Sequence, residues 1–460
     1  MNIFLLAHAL VGRKDLPVPA WLFAWGASLV LVISFALLSV AWTQARLQTE
    51  QWRAVPSWIS RALLNPVVEV LCGLIGVGLF VVVLYSGFRG ISDPTQNFSI
   101  VFVFYTFWLG LVLLSVLLGD LFRAFHPWRA LGRVVSGGFR LVAGQSAPVP
   151  FSYPDRLGRW PAVLGVFLFV WIELIAGGGA SPSPHDIAVG TVIYTVVTFV
   201  CMALFGVEEW IGRGDTFNSY FGMFARLGPF EARGRELGVR KFLSGAPQWA
   251  AVPGAAALVL ASIAVTSFDG AQEGALSGAI RWTFERSSDI GFSLPDSFRI
   301  ANSVWLLITL AAVSGLYWLG VAGMHTVRSS PATRELGRSF AHTLIPIALA
   351  YLVAHYFSAF LYQEQAQFTY ILSDPLGHGS DLFGTAGGGI NYGIVGSNTV
   401  WYVQVAALVV GHVTALTLAH DRALGVYDNV RNASRSQYIM LAVMVGFTCF
   451  GLFLLSQANA

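Results

Sequence analysis

The 460-residue sequence predicts an all-α, polytopic transmembrane helix bundle of about ten spans, and three observations carry that expectation. Hydrophobic residues make up 55% of the chain and charged residues only 11%, about half the charged share of an ordinary soluble protein. Apolar runs of about 20 residues, long enough to cross the hydrocarbon core as helices, recur along its length. The basic residues are also distributed unevenly between alternate connections.

Taken in order, the expected spans lie near 21–42, 66–88, 99–119, 161–177, 187–206, 248–266, 302–322, 340–362, 401–420 and 438–456, forming one integral domain over 1–460. The connections 43–65, 120–160, 207–247, 323–339 and 421–437 together hold 21 Lys and Arg, while the alternate set, with both ends of the chain, holds 6. The basic side is expected to be cytoplasmic, which places both termini outside. The N-terminal stretch MNIFLLAHALVGRKDLP is too short for a cleavable signal peptide, and its apolar and charged parts run in the wrong order. The first span is therefore expected to act as the targeting signal.

Cys72, Cys201 and Cys449 each fall in a span without CxxC spacing, so neither a disulfide framework nor a thiolate metal site is indicated. The net charge of +3 follows topology and gives no reason to expect nucleic acid. The Gly-rich stretch SDPLGHGSDLFGTAGGGINYGIVGSN lacks the Gly-Lys-Ser/Thr ending of a P-loop. Its Phe383, Ile390 and Tyr392 suggest a packed loop. The other long outer connection, 267–301, suggests a lid. Two basic-side segments, LFRAFHPWRALGRVV and FNSYFGMFARLGPF, suggest helices lying in the interface.

Ionisable groups inside spans are costly and mark sites by default. Tyr351, His355, Ser358 and Tyr362 fall at i, i+4, i+7 and i+11, one helix stripe, which should face the protein interior. His355 lies about 10 Å below the outer end of its span, and His412 about 8 Å deeper. His412 borders the small-residue seam Ala407, Gly411, Ala415 and Ala419, which allows close helix packing. Glu173 lies near the top of the fourth span. His8, Arg13 and Asp15 are on the same outer side. His342 and His420 belong to the basic side and read as structural. Imidazole with carboxylate suits Zn, Mn, Fe or Cu, so a metal held by His355, His412, His8 and Asp15 is one expectation. There is no HExxH motif to support it, and a histidine simply bonded to a neighbouring helix stays open.

The blocks AHALVGRKDLPVPAWLFAW, FHPWRALGR, YPDRLGRWPAV, RIANSVWLL, HTLIPIALAYLVAHYFS, QAQFTYILSDPLG and GHVTALTLAHDRAL, spread over nearly the whole chain, resemble a family of bacterial polytopic membrane proteins commonly labelled fenitrothion hydrolase. The resemblance implies an organophosphate hydrolase of the bacterial inner membrane that cleaves a lipophilic phosphotriester met in the bilayer. Glu173, Tyr351 and Arg13 are the candidate catalytic residues that the residue reading supplies for such chemistry. His355, Glu173 and His412 with a metal would activate water, and Tyr351 or Arg13 would stabilise the developing oxyanion. Two other readings remain open at this point. One is a transporter or channel that passes protons or metal ions along His355, His412 and Glu173. The other is a non-catalytic membrane subunit of a larger complex. Oligomeric assembly is open in all three.

Overall fold

The computed structural model describes residues 20–49, 51–143, 150–328 and 330–458, and the bundle is all-α apart from one small sheet. Helix α1 is Ala20–Ala41. After it come β1, Arg53–Ala54, α2, Ser57–Leu63, and α3, Pro66–Arg89. Asn65 caps α3 by accepting the Val68 amide, and Pro66 follows at the first helical position, where its missing N–H costs nothing. Helix α4 covers Phe98–Leu118 and contains a π-helical stretch, Phe102–Gly110. Then follow α5, Leu121–Phe125, α6, Pro127–Ala143, α7, Trp160–Leu174, α8, Pro184–Phe205, α9, Val207–Arg213, and α10, Thr216–Ala225.

A hairpin of β2, Phe230–Arg233, and β3, Glu236–Val239, pairs with β1 in the antiparallel order β1-β3-β2. The second half comprises α11, Ala255–Gln272, α12, Ser277–Asp289, α13, Leu294–His325, α14, Thr333–Ser339, and α15, Ala341–Ile371. It ends with α16, Ser397–Val426, α17, Val430–Ser436, and α18, Tyr438–Ala458.

Among the described residues nine helices are long and apolar enough to cross a membrane. The remaining expected span corresponds to α7, whose 15 residues rise about 22 Å, short of the roughly 30 Å hydrocarbon core. Gly177, Gly178 and Gly179 follow it, the last two at positive φ, and break the helix.

Burial identifies the centre. Inside the bundle lie 78% of the α11 window and 61% of the α15 window, against 17% for α1. A helix sheathed by protein can carry polar side chains that lipid would reject. Helix α11 accordingly holds Ser262, Thr266, Ser267 and Asp269, all buried. Beside it an aromatic block closes the middle of the bundle. Trp108 stacks on Tyr220 at 4.1 Å, and Phe107 meets Phe122, Phe217 and Phe221 edge-on.

Several expected connections turn out differently. The segment FNSYFGMFARLGPF is not interfacial, because α10 is almost wholly buried. Stretch 267–301 is not an open lid; it continues α11, forms α12 and begins α13. The Gly-rich loop packs through Ile390 on the core and through the Tyr392 ring on Tyr362 at 5.2 Å, whereas Phe383 is 64% exposed. The loop is ordered by Asp374, which accepts the His378 and Gly379 amides, and by Asp381, which accepts from the Ser373 hydroxyl and the Ala386 amide. These bonds hold both carboxyls below the usual carboxylate range; for Asp374 they outweigh the opposing effect of burial.

Helix α6 does present an apolar side, with Val134, Val135, Phe139, Leu141 and Val142 exposed. It is tied down by Arg129 and Arg133, which reach Glu208, and by Arg133 on Glu69. Burial pushes the Glu208 carboxyl up, but Arg129, Arg133 and Arg123 hold it below its ordinary range. A carboxyl so depressed contributes stability that is complete above its unfolded value of about 4.3 and is lost as pH falls through the lower folded value. The difference in melting temperature between wild type and Glu208→Gln should therefore stay constant from pH 8 to about pH 5 and shrink below about pH 4. A pH series of thermal unfolding in detergent reads this.

Close packing is set at Gly411. A Cβ there would collide with the Ala350 side chain and lie 2.9 Å from the Pro346 carbonyl. Gly411→Val should lower stability by about 1–3 kcal/mol, the range for overpacking. Thermal unfolding of the purified chain measures it.

Candidate functional site

The most developed polar constellation lies where α11 and α15 meet in the bundle interior. Asp269 is near the end of α11, and His355 and Tyr356 are midway along α15. The Tyr356 hydroxyl donates to Asp269 Oδ2 at 2.6 Å, and His355 Nε2 lies 2.8 Å from the same oxygen. Gln272 Nε2 donates to Oδ1 at 2.8 Å. A carboxylate that accepts from a phenol and an amide is written as the acceptor for the imidazole too, so Nε2 carries the proton. The Asp269 side chain is 1% exposed and that of His355 16%.

His355 forms part of the wall of a small cleft that encloses about 30 Å³, with Thr266, Ser267, Gly270, Tyr351 and Leu408. Gly270 leaves room beside the ring, because a Cβ there would lie 3.3 Å from Nδ1. The cleft belongs to the end of the bundle opposite the arginine-rich connections, judged by where α16 begins and α18 finishes.

The other expected site residues are placed as follows. Glu173 is half-buried, its Oε2 is enclosed without a protein partner, and it lies within electrostatic range of Asp269 and the phenols of Tyr105, Tyr220 and Tyr356. Glu173 and the Asp269–His355 pair thus share one buried region. The Tyr351 hydroxyl donates to the Phe447 carbonyl at 3.0 Å, beside Gly451. His412 is fully buried. Its Nδ1 donates to the Leu408 carbonyl at 2.8 Å, its Nε2 has no protein partner, and its ring is 6.2 Å from that of Tyr351. His412 therefore borders the cleft through Tyr351 and Leu408 rather than joining Asp269. His8, Arg13 and Asp15 lie outside the described residues.

Among the described residues, no three His, Cys, Asp or Glu side chains converge as a metal ion would require. His355 is nevertheless held as metal-ligating imidazoles often are, with one ring nitrogen on a carboxylate.

His420 donates through Nε2 to the Trp42 carbonyl and accepts from Gln437. The neighbouring Asp421 accepts from the Trp42 indole, the Arg46 and Leu47 amides, and Gln48. This knot fixes the first basic-side turn against α16.

A second buried His–Asp–Tyr set, absent from the sequence expectations, lies at the arginine-rich end. His126 Nδ1 accepts the Arg129 amide and so caps α6, while Nε2 donates to Asp215 Oδ1 at 3.3 Å. Asp215 caps α10 by accepting the Asn218 amide, and it also receives the Tyr194 hydroxyl. One imidazole joins two helix starts and borders no cleft, so this set is a joint. The local signals were a His before Pro at a helix start and an Asp three residues before an Asn.

The fold and these placements define a multi-pass α-helical membrane protein with a buried acid–base site on a cleft. No family model matches the sequence, and no curated protein or solved structure is similar to it.

Asp269 is the shared acceptor of the site, and this has a measurable consequence. Asp269→Ala strands the groups gathered around it and should cost about 3 kcal/mol or more, as broken buried pairs do. Tyr356→Phe removes one donor and should cost about 1 kcal/mol. Chemical unfolding in a single detergent compares the two, and equal tolerance would refute the shared role.

Proposed function

We propose that the chain is a hydrolase of the bacterial inner membrane acting on a small lipophilic ester of the phosphotriester type. The Asp269–His355 pair on the cleft wall carries the reading. An imidazole oriented by a carboxylate is a general base whose charged form the carboxylate stabilises. The cleft encloses about 30 Å³, room for about one or two waters and far below the roughly 300–1,000 Å³ of ligand sites, so what it holds as it stands is the attacking water, with the ester approaching from the lipid. The excess of Lys and Arg on the opposite connections supports an outer-half position for the cleft, where a molecule dissolved in the outer leaflet would reach it.

In the proposed step His355 Nδ1 takes a proton from water as the water oxygen attacks phosphorus. The new P–O bond forms, the P–O(aryl) bond breaks, and the imidazolium returns the proton to the departing aryloxide. Asp269 holds the ring and offsets its positive charge, and Tyr356 and Gln272 fix Asp269. If a divalent metal is bound, His355 Nδ1 is the described atom best set to hold it, with His8 and Asp15 as further ligands. Such an ion would supply a water of lowered pKa.

One observation favours the transport alternative: Glu173 and His412 each bury a polar atom without a protein partner, in different parts of the bundle. Two assays separate the readings. Purified protein in nanodiscs, with metal content measured, should cleave a chromogenic aryl phosphotriester. His355→Ala and Asp269→Asn should each lower kcat/KM by at least about 100-fold with melting temperature retained for the Asn variant. Retained activity in His355→Ala, or none in wild type, overturns the hydrolase. A proton flux in proteoliposomes that Glu173→Gln abolishes would put transport in its place.

A further inference from the structure

The buried face of α16 carries a row of polar atoms that the protein leaves unsatisfied. Trp401 Nε1, Gln404 Oε1 and His412 Nε2 are buried without a protein partner. Together with Leu408, which lines the cleft, they fall at i, i+3, i+7 and i+11, one stripe of the helix. Each such group left dry costs about 1–3 kcal/mol, and three on one stripe are not accidental packing faults. The atoms are also chemically complementary. Trp401 offers a donor and Gln404 an acceptor about 4.5 Å further along the axis, a separation that one water bridges. His412 donates through Nδ1 to the Leu408 carbonyl, so its Nε2 is an acceptor.

The row starts one turn inside the helix beginning at Ser397 and passes the cleft at Leu408. Just past it, Gly411 lies hard against Ala350 and Pro346 of α15, and Ala415, Leu416 and Ala419 are buried beyond. The polar row therefore ends where the two helices close.

The geometry points to a blind water track along α16, running from the Ser397 end past Trp401 and Gln404 to the His355 cleft and stopping at His412. Its ligand is water, or a proton carried on water. A hydrolytic site inside a bilayer needs such a supply, and a track closed at one end feeds a reaction without conducting across the membrane. This deepens the hydrolase reading by naming its water route, but its test does not depend on any activity.

X-ray radiolytic labelling of the full chain in nanodiscs, in ¹⁸O water, marks side chains that lie against bound water. Trp401, Leu408 and His412 should take up label at least about tenfold faster than Tyr402 and Val410 on the outward side of the same helix, because water bridging such polar groups is a bound part of the structure. Gln404→Leu should lower the Leu408 rate severalfold with the melting temperature preserved, and His412→Phe should do so less. Labelling of Leu408 no faster than Val410 in wild type overturns the track. Labelling of Leu408 that neither substitution alters places the water route elsewhere and overturns it equally. Either failure leaves the phosphotriester assay unaffected, so the two claims fail separately.

Discussion

Burying the Asp269 carboxylate inside a membrane bundle is the constraint that most of this structure answers to. An isolated carboxylate in such a setting is prohibitively costly, so it must be surrounded by donors and screened from lipid. Tyr356, His355 and Gln272 supply the donors. The screening comes from making α11 the most enclosed of the long spans, packed against α7, α13, α15 and α18. The polar face of α11 is tolerable only because other helices surround it.

The same arrangement fixes what His355 can do. Its Nε2–H is committed to Asp269, so any proton exchange occurs at Nδ1, on the side where Gly270 leaves room. Glu173 adds a second carboxyl to the region, and α16 lines the cleft through Leu408. The proposed hydrolase would draw its proton acceptor from His355 and its water from the proposed track along α16. The close helix contact at Gly411 brings α16 hard against Ala350 and Pro346 of α15 just beyond the cleft.

Much of this was legible in the residues. Composition and run length gave the bundle, and the stripe at Tyr351 and His355 was correctly expected to face inward. The partner of His355 was not legible, because the expected span 248–266 began seven residues too early and stopped six short of Gln272. Pro253 and Gly254, the latter at φ 80°, start the helix at Ala255 and carry it on to Gln272. Asp269 thereby moves from a presumed loop into the bundle. Hydropathy averaged over a window has no knowledge of a Pro-Gly start, whereas the turn chemistry does. The burial of α10 was missed for a different reason. Aromatic residues with a single Arg look alike at an interface and in a core, and only tertiary packing distinguishes them. His412 was correctly separated from His355, but its position on the cleft border depended on Tyr351 and Leu408, which spacing alone does not reveal.

The central claim is that Asp269 sets the tautomer of His355 and so makes Nδ1 the reactive nitrogen. ¹⁵N NMR of histidine-labelled protein in nanodiscs tests it most directly, with His355 assigned by comparison with His355→Gln. The account predicts a neutral ring protonated at Nε2, with a strongly hydrogen-bonded Nε2–H signal that weakens in Asp269→Asn. A ring protonated at Nδ1, or a spectrum indifferent to Asp269→Asn, would contradict it.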